Sequence, residues 1–235
     1  MKTQPDCRDR VRGLALAAAL VVGIAGGPVV RSVGSRWLAP LTPPGQSQVA
    51  SNQARAASRA DRETILRVVR QHRRSASEAW CARLADAVYE EALRADVDPL
   101  LVASIVARES SFRSRAVSQA GAVGLMQIRP FVAEDVAASH ALDWGGVEML
   151  HDPSINVRLG VSYYKQLLDR FEGDERKALT AYNVGPTRVS LALRAGTFSA
   201  NRYAREVLDL FEQLAATRVG WAALRAPKTP ASDPV

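Results

Sequence analysis

The sequence contains few of the residues that metal centres and disulfide scaffolds need. Among 235 residues there are two cysteines and three histidines. Cys7 and Cys81 lie on opposite sides of an apolar N-terminal segment, so we expect no disulfide between them, and neither has the spacing of a metal ligand. His72, His140 and His151 are isolated in sequence, which disfavours a Ser/His nucleophilic pair. The sequence therefore predicts a protein that uses no metal and no cofactor.

Strand patterns, internal repeats and a phosphate-binding loop are also missing from the sequence. The stretch Gly121–Gly124 reads GAVG but lacks the lysine of a P-loop. Apolar residues make up 47% and charged residues 23% of the chain, which is typical of a globular protein. The apolar positions recur at helical spacings, and no confident period of two is present. We therefore expect a mainly α protein with one buried domain.

A formal net charge of +7 is a reason to consider nucleic acid as a partner. The charge is uneven, however: residues 1–95 hold 15 Lys and Arg against 8 Asp and Glu, whereas residues 96–220 hold 14 against 15. A nucleic-acid-binding domain carries its basic surface on the folded part. Because the basic excess lies in the N-terminal part, it fits the vicinity of an anionic membrane or envelope better. We expect no nucleic-acid partner.

The N-terminal segment predicts export. Residues 1–12 include four basic side chains and are followed by Gly13–Val30, an uncharged run of 18 residues. That length lies between the core of a signal peptide and a membrane-spanning helix. No clean cleavage site follows the run, so we favour an uncleaved anchor, and we assign residues 1–36 to a signal peptide or membrane anchor.

The composition then changes to a proline-, serine- and glutamine-rich stretch. We predict a linker or stalk over residues 37–74, which includes a basic amphipathic helix at Asp61–Arg74. This helix either lies on a membrane surface or leads into the domain, and we favour the second. Residues 75–220 are predicted to form the helical domain, and residues 221–235 a flexible tail.

Capping signals divide the domain into helices. Ser75 with Glu78 forms a capping-box pattern before a helix that runs to about Ala95. Asp98-Pro99 and Asp152-Pro153 each combine an N-cap with proline at the first helical position. Further helices are predicted after Pro130, after Gly173-Asp174, over Thr187–Ala195, and on the stripe Tyr203, Val207, Leu210, Phe211 and Leu214.

Glu109 is a carboxylate on the apolar face of a predicted helix. It follows Ile105 by four residues and Val106 by three, so its side chain is expected to point inward. A buried carboxylate must be paired, hydrogen-bonded or held protonated with a raised pKa. An ion-paired structural acid is one interpretation. A protonated carboxyl is the other, and it is what a general acid needs.

Several ordered blocks of sequence around Glu109 closely resemble the signature blocks of the soluble-type (SLT) lytic transglycosylases. The resemblance covers roughly residues 85–215. It implies the helical fold of goose-type lysozyme for the catalytic domain. The matching positions are Glu109-Ser110-Ser111-Phe112, Ser118, Gly121 to Ile128, and Ala181-Tyr182-Asn183-Val184-Gly185, with Asn156, Gly160 and Tyr163 in a middle helix.

The resemblance implies cleavage of the β-1,4 bond between N-acetylmuramic acid and N-acetylglucosamine in peptidoglycan. Glu109 would protonate the leaving oxygen and then act as base on the muramoyl 6-hydroxyl, which closes to a 1,6-anhydro product. A single carboxylate suffices because the substrate's acetamido group can stabilise the developing positive charge.

The resemblance also implies the residues that surround this carboxylate. Ser118, Met126 and Gln127 match positions that line the sugar groove, with the Met126 thioether as an apolar wall. Tyr182 would hold the Glu109 carboxyl. Asn183 would order the end of its helix or contact sugar. Ser199 and Ala200 depart from a Glu-Thr pair that is frequent in the family, which affects the expected saccharide contacts.

The expected location is the periplasm or cell envelope of a bacterium, with or without an anchor in the inner membrane. The expected partner is the glycan strand, and an envelope growth or secretion machinery is a candidate. Two alternatives remain at this point. One is a muramidase on the same scaffold, in which water replaces the 6-hydroxyl. The other is a peptidoglycan-binding scaffold module of an envelope assembly.

Overall fold

A computed structural model describes residues 44–218 of the chain, and within that range the protein is helical. The eight α-helices are α1 (Pro44–His72), α2 (Glu78–Arg94), α3 (Pro99–Ser110), α4 (Pro130–Ser139), α5 (Pro153–Arg170), α6 (Glu175–Val184), α7 (Pro186–Arg194) and α8 (Arg202–Ala215), and a 3₁₀ helix spans Val147–His151. Over the same residues there are no strands, only isolated bridges from Val123 to Val117 and to Ile128. The predicted mainly α class is confirmed.

Helix α3 is the centre of the core. Every residue from Leu100 to Ala107 is buried, and α3 packs against α1, α2 and α8. A second layer is formed by α5 and α6, which pack on each other, while α5 also contacts α2 and α6 contacts α8. Because α3 is apolar on all sides, a polar side chain near its end must be accommodated inside the protein.

The helix ends follow the capping signals of the sequence with one correction. The Asp98 carboxylate accepts from the backbone N–H of Leu100, and that of Asp152 accepts from those of Ser154 and Ile155. The predicted capping box at Ser75 is wrong. Ser77 is the N-cap of α2, and its hydroxyl accepts from the N–H of Trp80 at 3.3 Å. Serine is a favoured N-cap residue at either position, so residue type alone does not distinguish Ser75 from Ser77.

The expected linker is also corrected. Helix α1 begins at Pro44, inside the segment predicted to be a stalk. Its C-terminal half buries Ile65, Val68 and Val69 in the core. The basic amphipathic helix at Asp61–Arg74 is therefore part of the folded unit, because its apolar side covers α2 and α3.

A buried ion-pair cluster connects α1 to α3. Arg218 donates from Nη2 to Asp61 at 2.8 Å and from Nη1 to Asp98 at 2.7 Å. Burial raises the pKa of Asp61, although the Arg218 guanidinium opposes that shift. Since Asp98 also caps α3, the cluster fixes the N-terminal end of the central helix.

None of the helices within residues 44–218 is both long enough and apolar enough to cross a membrane. The predicted signal peptide or anchor at 1–36 and the predicted tail at 221–235 lie outside the described residues.

The close approach of α5 to the loop before α4 depends on Gly160. A methyl group at this position would lie 2.7 Å from Cβ of Met126, which is fully buried. Helix propensity alone favours alanine over glycine by about 1 kcal/mol. We expect packing to reverse this preference, so that Gly160→Ala lowers the free energy of unfolding by about 1–3 kcal/mol in urea titrations.

A double-mutant cycle with Met126→Ala is the control for this prediction. The two changes together should cost less than the sum of the single changes, because the smaller side chain leaves space for the added methyl group. A Gly160→Ala protein more stable than wild type would show that the contact is not tight.

Candidate active site

Glu109 is the penultimate residue of α3, and it is partly buried. Burial raises the pKa of Glu109 from an ordinary 4.5 to about 7, while the Tyr203 hydroxyl and the positive charge of Arg108 act in the opposite direction. The raised pKa agrees with the expectation from its position on the apolar face. At neutral pH a large fraction of this carboxyl therefore holds its proton.

The tyrosine that faces Glu109 is Tyr203 on α8. Its hydroxyl interacts with the Glu109 carboxyl, and burial together with that negative charge raises the pKa of the phenol well above its ordinary value. The hydroxyl is buried and has no hydrogen-bond partner of good geometry among residues 44–218. Tyr203 therefore stays protonated and can donate to the carboxylate form of Glu109.

The structure does not show the expected hydrogen bond between the Tyr182 hydroxyl and the Glu109 carboxyl. The Tyr182 hydroxyl donates to the backbone carbonyl of Met126 at 2.8 Å, so its single proton is already used. The ring still lies close to Glu109, whose charge contributes to raising the pKa of Tyr182 after the larger effect of burial. Sequence reasoning missed Tyr203 as the partner. The available signal was a tyrosine on the buried stripe of α8, since a buried hydroxyl needs a partner.

Arg108 connects α3 to α8 at the surface beside Glu109. Its Nε lies 2.6 Å from the Glu206 carboxylate, and its guanidinium lies 5.9 Å from the centre of the Tyr203 ring. Glu206 also pairs with Arg202. These contacts hold a positive charge near the Glu109 carboxyl, which limits the rise of its pKa.

The chain reverses directly after Glu109. Ser111 and Phe112 both have left-handed backbone conformations, with φ of 50° and 59°. Such conformations are strained for residues other than glycine, and surrounding packing has to maintain them. Phe112 provides that packing, because its side chain is fully buried and its ring lies 5.4 Å from that of His72. The reversal brings residues 113–129 back past the end of α3.

Asn156 holds this returning loop from inside the protein. It is fully buried, and its Nδ2 donates to the carbonyls of Val123 and Leu150 at 3.0 and 2.9 Å. Its Oδ1 accepts from the N–H of Met126 at 2.8 Å. Gly124 has a φ of +82° and lies against the Asn156 amide, where any side chain would collide with it. The loop is thus fixed without any contribution from a ligand.

Three of the predicted site residues line one cavity of ≈ 460 Å³, namely Gln127, Tyr182 and Asn183. Gln127 donates from Nε2 to the carbonyls of Ala116 and Gly124, at 3.1 and 2.9 Å. Because Nε2 is used within the loop, Oε1 is the amide atom left to accept from another donor. Asn183 is exposed, and its Oδ1 accepts from Nδ2 of Asn201, the N-cap of α8. This bond orders the end of α6, one of the two roles expected for Asn183.

Met126 and Ser118 do not line this cavity. Met126 has no exposed surface and packs against Gly160, so the expected apolar wall formed by its thioether is not present. The partly exposed Ser118 closes its own turn, with its hydroxyl accepting from the N–H of Ala122 at 3.0 Å. The structure gives both residues roles in shaping the loop.

The same cavity contains side chains that the sequence did not single out. They come from the start of α4 and from α5, and they include Arg129, Phe131, Asp135 and Gln166. Phe131 is 56% exposed, and the Arg129 guanidinium lies 5.0 Å from the centre of its ring. Tyr163 lines the cavity too and lies 5.4 Å from the Tyr182 ring. Amides, aromatic rings and one charge of each sign suit a neutral polar ligand such as a sugar.

Glu109 does not line the cavity. Tyr182 does line it, and Tyr182 is also close enough to Glu109 for the charge of that carboxylate to raise its pKa. In the described part of the chain, no group of three or more His, Cys, Asp or Glu side chains is arranged to hold a metal ion. The geometry thus offers one carboxyl of raised pKa, one tyrosine donor, and a neighbouring groove. This set can transfer a proton to and from a bound neutral substrate.

Comparison with known protein families shows which family the chain belongs to. The Transglycosylase SLT domain family matches residues 86–203, which is half of the sequence. The chain belongs to this family. The match ends at Tyr203, so the SLT domain includes both the carboxyl and its tyrosine partner.

Two relatives of the SLT domain illustrate the range of the family. The transglycosylase of Enterobacteria phage PRD1 is 33% identical over 103 residues, which cover 44% of this chain and 35% of the relative. The membrane-bound lytic murein transglycosylase C of Haemophilus influenzae is 37% identical over 109 residues, which cover 42% of this chain and 30% of the relative. The chain thus spans about a third of the length of these relatives.

Solved structures confirm the lysozyme-like helical fold expected for the SLT domain. An inactive mutant of the lytic transglycosylase Slt from Pseudomonas aeruginosa has a TM-score of 0.51 at 26% identity, covering 56% of this chain and 24% of that protein. The 70 kDa soluble lytic transglycosylase from Escherichia coli has a TM-score of 0.54 at 21% identity, and the match covers 70% of this chain and 30% of that protein.

The raised pKa of Glu109 makes a prediction about stability. The folded protein keeps this proton up to about pH 7, whereas the unfolded chain loses it near 4.5. The folded state therefore loses stability as pH rises from 4.5 through 7. We expect Glu109→Gln to be more stable than wild type at pH 8, by at most about 3 kcal/mol, and close to wild type at pH 4.

Urea denaturation of both proteins at pH 4 and pH 8 measures this difference. Glu134→Gln, which changes an exposed carboxylate on α4, is the matched control. A constant difference between Glu109→Gln and wild type across this range would contradict a raised pKa.

Proposed function

We propose that this protein is a lytic transglycosylase that cleaves the β-1,4 bond between N-acetylmuramic acid and N-acetylglucosamine in peptidoglycan. The product end is a 1,6-anhydromuramoyl residue. The observation that carries the proposal is the Glu109 carboxyl, which burial brings to a pKa of about 7 beside a groove of amides and aromatic rings. Membership of the SLT domain family supports the same reaction.

One carboxyl can serve both steps of the reaction because its pKa is close to neutral. In the first step Glu109 gives its proton to the bridging oxygen as the glycosidic bond breaks. In the second step the Glu109 carboxylate takes the proton of the muramoyl 6-hydroxyl, whose oxygen bonds to the anomeric carbon. The proton inventory of the enzyme is restored, and no water is consumed. A group with a pKa near the working pH is efficient as both acid and base.

Tyr203 has a positioning role in this scheme. Between the two steps Glu109 is a buried anion, which is costly without a hydrogen-bond donor. The Tyr203 hydroxyl, which is buried and has no hydrogen-bond partner in the described range, is the donor available. The positive charge of Arg108 also favours the anion. The substrate's acetamido group supplies the stabilisation of the sugar cation that a second carboxylate gives in other glycosidases.

The proposed setting is the envelope of a bacterium, since peptidoglycan is found there. The N-terminal segment, outside the described residues, would deliver the protein to the periplasm as a signal peptide or hold it at the inner membrane. The glycan strand is the proposed partner, and an envelope growth or secretion machinery is a candidate second partner. The reaction requires no cofactor.

Product analysis with wild type and Glu109→Gln tests the proposal. Wild type should convert purified sacculi to anhydromuropeptides, which are lighter by one water molecule than hydrolysed products in a mass spectrum. Removing the general acid should lower the rate by about 100- to 10,000-fold. Products with only reducing ends would identify a muramidase, and full cellular function of Glu109→Gln would favour a scaffold module.

The tyrosine assignment predicts different pH profiles for two conservative variants. Tyr203→Phe removes the donor to the carboxylate, so the pKa of Glu109 should rise and the basic limb of kcat/KM should move up by about half to one pH unit. Tyr182→Phe removes a hydroxyl bonded to the Met126 carbonyl. It should lose stability by about 1 kcal/mol with an unchanged basic limb. Equal shifts in both variants would refute the assignment.

A further inference from the structure

A second cavity lies beside residues 113–117, the first part of the loop that follows α3. It has a volume of ≈ 420 Å³, and we call it the arginine cavity. Its lining consists of Arg73, Arg113, Ser114, Arg115, Ala116 and Val117. Three of these six residues carry a guanidinium, and none carries a carboxylate. A concave surface with this composition attracts an anion.

The three arginines of this cavity lack carboxylate partners. Within residues 44–218, no Asp or Glu oxygen lies within 4.0 Å of them, whereas Arg70, Arg108 and Arg218 each form such a pair. The Nε of Arg73 is buried and finds no hydrogen-bond partner in that range. A buried donor without a partner carries a desolvation cost, which a bound acceptor would remove. The cavity therefore has three positive charges without a neighbouring carboxylate, and the Nε of Arg73 lacks a hydrogen-bond acceptor.

The arginine cavity and the active-site groove share one loop. Arg113 follows Glu109 by four residues, and its Nε donates to the carbonyl of Ser110 at 3.0 Å. Ala116 lines the arginine cavity, and its carbonyl accepts from the Gln127 side chain, which lines the groove. The two cavities are therefore neighbours, because the Gln127–Ala116 hydrogen bond joins a residue of one lining to a residue of the other.

We propose that the arginine cavity binds the free carboxylates of the peptide that branches from the muramoyl sugar. This inference rests on the proposed function, since it takes peptidoglycan as the substrate. The glycan backbone is neutral apart from that branch, so the peptide is the part of the strand that guanidinium groups can recognise, through charge-assisted hydrogen bonds. Val117, which is 62% exposed, offers apolar contact to the peptide's alkyl groups.

Binding measurements on Glu109→Gln protein, which retains the substrate, test the inference. The probes are a disaccharide-tetrapeptide with free carboxylates and the same compound with those carboxylates converted to amides. We expect the charged compound to bind about tenfold more tightly in isothermal titration calorimetry, since it alone forms charge-assisted hydrogen bonds. Adding Arg73→Gln and Arg115→Gln should abolish this difference, and added salt should reduce it.

The matched control is Arg83→Gln with Arg158→Gln, which removes two exposed arginines that do not line either cavity. It should keep the full preference for the charged compound. If the charged and the amidated compound bind with equal affinity, whether weakly or tightly, the inference is overturned. It is also overturned if the control variant loses the preference for the charged compound as fully as the variant with Arg73→Gln and Arg115→Gln. Turnover of sacculi by wild type is measured in parallel. Anhydro products together with no preference for the charged compound would contradict only this inference. A preference for the charged compound together with no turnover would contradict only the proposed function.

Discussion

The loss of water around the Glu109 carboxyl is the constraint on which the rest of the site depends. This side chain lies at the end of a helix whose other residues are almost all buried, so the carboxyl shares an apolar surrounding. Desolvation outweighs both the tyrosine donor and the neighbouring arginine, and it raises the pKa to about 7. A structural ion pair would show the reverse, with a pKa held below its ordinary value.

The remainder of the fold keeps this environment in place. Helix α8 supplies Tyr203 and packs against α3. The loop after Glu109 is held by Asn156 through three hydrogen bonds and by close contact of Gly160 with Met126. These groups are buried and satisfied within the protein, so they fix the loop before any substrate binds. Such preorganisation is what proton transfer between precisely placed groups needs.

Local signals in the sequence were sufficient for much of the fold. The caps at Asp98 and Asp152 and the inward direction of Glu109 depend on residues within one or two turns of each other, so a pattern in the sequence contains them. Helix α1 was missed before Asp61 because its N-terminal half lacks an apolar stripe. The choice between Ser75 and Ser77 was missed because either serine can cap a helix.

The partners of buried hydroxyl groups could not be predicted in the same way. Tyr182 and Tyr203 both lie on apolar stripes, and the family blocks favoured the first as the partner of Glu109. Which hydroxyl reaches the carboxyl depends on the packing of α6 and α8 against α3, which no short-range pattern contains. For the same reason Met126 was placed at the groove, although the approach of α5 at Gly160 leaves it fully buried.

The central claim is that burial keeps the Glu109 carboxyl protonated up to neutral pH. Its most direct test is a titration of the Glu109 side-chain carbon by ¹³C NMR in the protein without substrate, with the resonance assigned through Glu109→Gln. The structure predicts a midpoint near pH 7. A midpoint at or below the ordinary pKa of 4.5 would contradict the account.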